Sequence, residues 1–257
     1  MVISVPVSDV FRYPSYDSEH IDEVMFGTDV EVADTMCGFV KITTEYGYSG
    51  WINEHDISVK LAEPNRIILF PWADLLKDDR NFYAPVMTLP LGSKVDAGYS
   101  EQFKRHAFVV LPDKRIFYIR KEALGNIPDG KSEEKARKII CETALSFLGV
   151  QYRWGGRTHK GIDCSGLAFT SYRMAGINIW RDADPDMTPG LVKITLGKAK
   201  PGDTLFFKGH MAIYLGDGSF VHASSSEARV TVASFDCNSI NYSEWCDHNL
   251  ICAGTVF

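Results

Sequence analysis

The chain has 257 residues, 45% of them hydrophobic and 23% charged, with a net charge of −6. That length allows two or three domains, and the composition is that of an ordinary globular protein. The acidic balance leaves no basic footprint for nucleic acid or an anionic surface, and no apolar run approaches the roughly 20 residues a membrane span needs.

The first residues, Met1 to Asp9, lack a basic region followed by an apolar core, so no signal peptide is visible. Taken as a whole gene product the chain is expected to be cytoplasmic; taken as a trimmed one, secreted. Six cysteines (37, 141, 164, 237, 246 and 252) form no CxxC pair. At this density in a chain this long they do not suggest a disulfide scaffold.

Residues 1–63 read as short alternating strands over Asp29–Ala33, Gly38–Thr43 and Gly50–Ile52, broken by turns containing Gly or Asp. That is the pattern of a small β-barrel. Glu63-Pro64 is a plausible linker, and residues 64–125 repeat the rhythm. There Leu89 to Val95 corresponds to Met25 to Val30, and Pro112 to Ile119 to the stretch from Tyr46 to Ile52.

From residue 126 the pattern changes. Ser132 is placed to cap a helix with Glu133 and Glu134 in its first turn, and Ala136, Ile139, Ile140, Thr143, Ala144, Phe147 and Leu148 recur at helical spacing up to Gly149. A glycine-punctuated loop, Tyr152 to Gly156, leads to Gly161-Ile162-Asp163-Cys164-Ser165-Gly166, and a second apolar helical pattern runs on to Gly176. Strands are expected at Thr204–Phe207, His210–Leu215 and Phe220–His222, so the domain over 126–257 is α+β.

Cys164 stands at a helix start, where backbone N–H groups and the helix dipole favour a thiolate. A nucleophilic thiol needs a base, and the base an orienter. His210 and His222 lie on neighbouring strands twelve residues apart. A three- or five-residue connection centred on Asp217 puts them on one sheet face, roughly 7–8 Å apart at the backbone. A two- or four-residue turn puts them on opposite faces. A zinc site from these three side chains lacks a fourth ligand.

The segments Gly161 to Gly166, Pro201-Gly202-Asp203-Thr204-Leu205-Phe206-Phe207, His210 to Gly216 and His222-Ala223-Ser224 resemble the motifs of the NlpC/P60 family of cysteine peptidases. Glu45 to Ile52 resembles the turn and strand of bacterial SH3-like domains. Together they are similar to the γ-D-glutamyl-L-diamino acid endopeptidases, which act on free murein peptides. The resemblance implies a circularly permuted papain-like catalytic domain preceded by two small SH3-like β-barrels. It implies Cys164 as nucleophile, His210 as base, His222 as orienter and Tyr152 beside the oxyanion site. Asp163, Ser165, Tyr48 and Glu19 are implied as substrate contacts, with Asp163 on the free α-amine of an L-Ala-γ-D-Glu stem. The subgroup's Arg-Asp-Ser is Arg181-Asp182-Ala183 here, so one polar contact is missing. The expectation is a monomeric peptidase with a murein peptide as substrate, no cofactor or metal, and no nucleic-acid or membrane partner. The competing reading is a secreted endopeptidase that works on intact peptidoglycan.

Overall fold

The computed structural model describes residues 1–78 and 85–257. The chain divides into two compact units, Met1–Ile127 and Pro128–Phe257.

The first unit is built from β-structure. A five-stranded antiparallel sheet runs in the order His20–Met25, Val7–Phe11, Ser49–Asn53, Phe39–Thr44 and Val30–Met36. Alternation along these strands sends Val10, Val24, Val40, Ile42 and Ile52 into one apolar core with Ile3. Asn53 then caps a 3₁₀ turn, Glu54–Asp56, before the short strand Ile57–Ser58. The seven-stranded sheet that follows, from Arg66–Ile68 to Leu124–Asn126, has a separate core around Leu75, Leu89, Val109 and Ile119. It closes the same way, with a 3₁₀ turn at Lys121–Ala123 leading into Leu124–Asn126.

The second unit is α+β. Helix α1 (Glu133–Ser146) is capped by Ser132, whose Oγ accepts from the Lys135 amide. It ends a turn before the glycine that the sequence suggests: Phe147 is the C-cap, and Gly149 takes φ +81° in the turn beyond. Helix α2 (Cys164–Met174) buries every residue except Arg173. A helix buried on all sides lies inside its domain, and the small residues Ser165, Gly166, Ala168 and Ser171 allow that close packing. In chain order the sheet strands are β1 (Val192–Ile194), β2 (Thr204–Phe207), β3 (His210–Gly216), β4 (Ser219–Ser224), β5 (Arg229–Ser234) and β6 (Leu250–Thr255). They form one antiparallel sheet ordered β1-β6-β2-β3-β4-β5, and α2 packs against β3 and β4.

The β3–β4 connection is a two-residue turn, the kind expected to put the histidines on opposite faces, and a bulge restores the shared face. The turn has two residues, Asp217 and Gly218, both left-handed at φ +50° and +74°. A bulge at Leu215, between the Tyr214–Phe220 and Gly216–Ser219 pairs, inserts the extra residue. Ile213 therefore still opposes Val221, and the register carried outward puts His210 and His222 on the same face. Among the described residues the six cysteines are free thiols, and no helix is long and apolar enough to cross a membrane.

Candidate active site

The N-terminus of α2 is fixed by Asp163. Its Oδ1 accepts from the Gly166 amide at 2.5 Å, which caps the helix, and its Oδ2 accepts from the Gly155 amide at 2.7 Å. Arg181 closes on both oxygens at 3.1 Å each, with only 1% of its surface exposed. Ser165 Oγ accepts from Arg181 Nη1 at 2.9 Å and donates to Asp163 Oδ1 at 3.3 Å. The approach is close enough to require glycine at 166, where a Cβ would come within 2.3 Å of the Gly156 carbonyl oxygen.

Two of the expected substrate contacts belong to this network. The Asp163 carboxylate and Ser165 hydroxyl, read as substrate contacts, are engaged by the protein. Burying a carboxylate costs several kcal/mol unless it is paired and hydrogen-bonded. Arg181 supplies the pairing; the resemblance marks it only as the first residue of Arg181-Asp182-Ala183, and its partner has no signal in the sequence.

Cys164 is the first residue of α2 and is buried. The backbone N–H groups of Ser165 and Met211 favour its thiolate, as the helix start predicts. Desolvation and the neighbouring Asp163 carboxylate oppose them and prevail, so the thiol is pushed up to about 11. The resting form is therefore the thiol, where the sequence suggests an activated thiolate.

His210 opens β3 and His222 lies on β4, and His210 Nε2 sits 2.8 Å from His222 Nδ1. Burial, with His222 adding to it, moves His210 down to about 3; burial moves His222 down to about 4. Both rings are neutral over the ordinary pH range. Because His210 Nε2 faces His222, Nδ1 is the atom left to take a proton. A base role for His210 at Nδ1 requires its Nε2–H tautomer, with His222 Nδ1 as the acceptor.

Tyr152 forms an isolated parallel bridge with Ile162, and its amide donates to the Ala228 carbonyl at 2.8 Å. Burial and the adjacent Cys164 and Asp163 push its phenol up to about 12, so it remains a hydrogen-bond donor. Tyr152, Cys164, His210 and His222 line one cavity of about 650 Å³, with Trp245 beside His210 at 6.1 Å between ring centroids. Trp245 lies on the six-residue helix α3 (Glu244–Asn249), which the sequence reading misses.

The other two candidates belong to the first unit. Tyr48 is half-buried in the turn before Ser49–Asn53, its backbone bonded to Thr44. Glu19 is exposed, and its carboxylate accepts from Arg12 Nε at 2.7 Å.

The sequence model of the NlpC/P60 family matches residues 149–251, the span holding all of the second unit's site. Dipeptidyl-peptidase 6 of Lysinibacillus sphaericus is 31% identical over 248 residues, covering 91% of both chains. Gamma-D-glutamyl-L-lysine dipeptidyl-peptidase of Bacillus cereus is 28% identical over 82% of this chain and 69% of that one. The crystal structure of an NlpC/P60 family protein from Bacillus cereus superposes with a TM-score of 0.81 at 21% identity, over 98% of this chain and 97% of that one. A relative this similar over nearly its whole length places the chain among the cysteine peptidases of the NlpC/P60 family.

Proposed function

We propose that this peptidase hydrolyses the bond between γ-D-glutamate and the diamino acid of murein stem peptides with a free amino end, releasing L-Ala-γ-D-Glu. The observation that carries the chemistry is the 2.8 Å His210–His222 contact on the wall of a cavity shared with Cys164. The names of the two relatives, both dipeptidyl-peptidases and the second named for a γ-D-glutamyl-L-lysine bond, support the substrate class.

In this reading Cys164 gives its proton to His210 Nδ1 as its sulfur attacks the γ-carbonyl carbon. The imidazolium's Nε2–H stays on the neutral Nδ1 of His222, which holds the ring plane. Negative charge on the carbonyl oxygen meets the N–H at the start of α2 and the Tyr152 hydroxyl. Collapse breaks the C–N bond, and the leaving amine takes the proton from His210. Water, deprotonated by the same histidine, then attacks the thioester and restores the thiol.

The matching closures of the two sheets of the first unit, each by a 3₁₀ turn and a short final strand, support reading them as two SH3-like barrels. Helix α2 packed on the later β3–β4 hairpin, with the thiol ahead of the histidines in the chain, supports a circularly permuted papain-like catalytic domain.

The test is incubation of the purified protein with L-Ala-γ-D-Glu-diaminopimelate and with its N-acetylated form. Release of L-Ala-γ-D-Glu from the free peptide alone is expected. Equal cleavage of the acetylated peptide, or solubilisation of intact peptidoglycan at a comparable rate, overturns the free-amine reading.

A further inference from the structure

The cavity does not end at the histidines. It continues along one face of the sheet to the β4–β5 hairpin, where Glu227 and Arg229 line it. Strand register fixes the layout. His222 opposes Thr231 and Ser224 opposes Arg229, so Thr231 and Arg229 share the histidine face of the sheet. Carried across to β3, the register sets His210, Ser224 and Arg229 in one row, two strand spacings or about 10 Å from end to end at the backbone.

The hairpin tip is anchored to the segment that carries Tyr152. The Ala228 carbonyl accepts from the Tyr152 amide at 2.8 Å, and Val230 exchanges bonds with 149–150 at 3.0 and 2.8 Å. Glu227 is held by its amide on Ser224 Oγ at 3.2 Å. Arg229 and Glu227 meet loosely, Nη2 to Oε2 at 3.5 Å, and both are more than 45% exposed. A guanidinium and a carboxylate are thus carried side by side on a backbone tied to the Tyr152 segment, each with donor or acceptor capacity left over.

His210 must protonate the amine that leaves, so the departing residue occupies the β3 side of the cavity, and its side chain can run along the row toward Arg229. A side chain ending in an ammonium alone would meet Glu227 but also the guanidinium charge. One ending in both an amino and a carboxyl group pairs with both. Resting on the reading above, we propose that Arg229 and Glu227 read the far end of the leaving residue and select a diamino acid with a zwitterionic head, diaminopimelate, over lysine.

The experiment measures kcat/KM for L-Ala-γ-D-Glu-diaminopimelate and L-Ala-γ-D-Glu-L-lysine with wild type, Arg229→Gln, Arg229→Lys and Lys208→Gln. Wild type should favour the diaminopimelyl peptide about tenfold or more, the scale of one charge-assisted hydrogen bond. Arg229→Gln should erase that preference through KM, and Arg229→Lys should retain part of it. Equal cleavage of the two peptides by wild type overturns the inference and leaves the proposed reaction intact. So does an equal loss on both peptides in Arg229→Gln, or loss of the preference in Lys208→Gln instead. Cleavage of neither peptide overturns both readings.

Discussion

Histidine 222 contributes a single atom, Nδ1, to the arrangement, and that defines what can replace it. Asparagine places an amide oxygen close to where the imidazole Nδ1 lies, and that oxygen also accepts from His210 Nε2–H. His222→Asn should therefore keep kcat/KM within about tenfold, while His222→Leu, which removes the acceptor, should lose about a hundredfold or more. A steady-state assay on the γ-D-glutamyl peptide decides it; equal losses in the two variants would mean that His222 orients nothing. Arg181 is the complementary case. Arg181→Met leaves the Asp163 carboxylate buried without its counter-charge, and should cost roughly 3–5 kcal/mol in urea denaturation. The pair Asp163→Asn with Arg181→Met should recover much of that loss, because asparagine still caps α2. A double variant no more stable than the single one would refute the pairing argument. Asp163 also shows how far one residue can be read from sequence. Its place before a helix start is legible as a cap; that an arginine 18 residues on would occupy the rest of the carboxylate is set by tertiary packing.

At the scale of elements, the strands and helices that carry the site were legible because each has a local signature. Ser132 and Asp163 cap helices, and apolar spacing at α1 identifies its inner face. The parity of His210 and His222 was not legible, because it hung on a loop length the sequence leaves open. A bulge at Leu215 does what a longer turn was expected to do, and no residue type marks a bulge unambiguously. Residues 229–255 went unread for a different reason. Helix α3 has six residues, less than two turns of periodicity, and β6 is recognisable only once β1 and β2 flank it. One long-range tie joins these parts. Arg137 on α1 reaches Asp203 Oδ1 and the Pro201 carbonyl, both at 2.9 Å, and its Nη2 donates to Thr255 Oγ1 at 3.2 Å. Asp203 is 1% exposed, so Arg137→Ala should destabilise the protein by about 3–5 kcal/mol by leaving that carboxylate unpaired. Chemical denaturation would detect it, and a loss under 1 kcal/mol would show that water reaches Asp203.

For the whole molecule, the ionisable groups that burial opposes most clearly set the response to acid. His159, His210 and His222 are each shifted below the ordinary histidine range by desolvation, the last two to about 3 and about 4. In the unfolded chain each takes up a proton near pH 6.5. Between pH 6.5 and about 4, the unfolded state binds more protons than the folded one, so the stability these three groups contribute falls as pH falls. Carboxylates with depressed values, such as Asp113, act at lower pH: their contribution is present above about 4 and lost below it. Asp56, raised by burial, works in the opposite sense at the acid end of the window from about 6.5 to 4.5, so the comparison with a histidine variant isolates the histidine. Urea midpoints of the full chain should decline across that window, and His222→Asn should decline less steeply, by up to one proton in the slope. Identical slopes for the two proteins would show that His222 is protonated in the folded state. The neutral histidine pair on which the proposed proton transfer depends would then be ruled out.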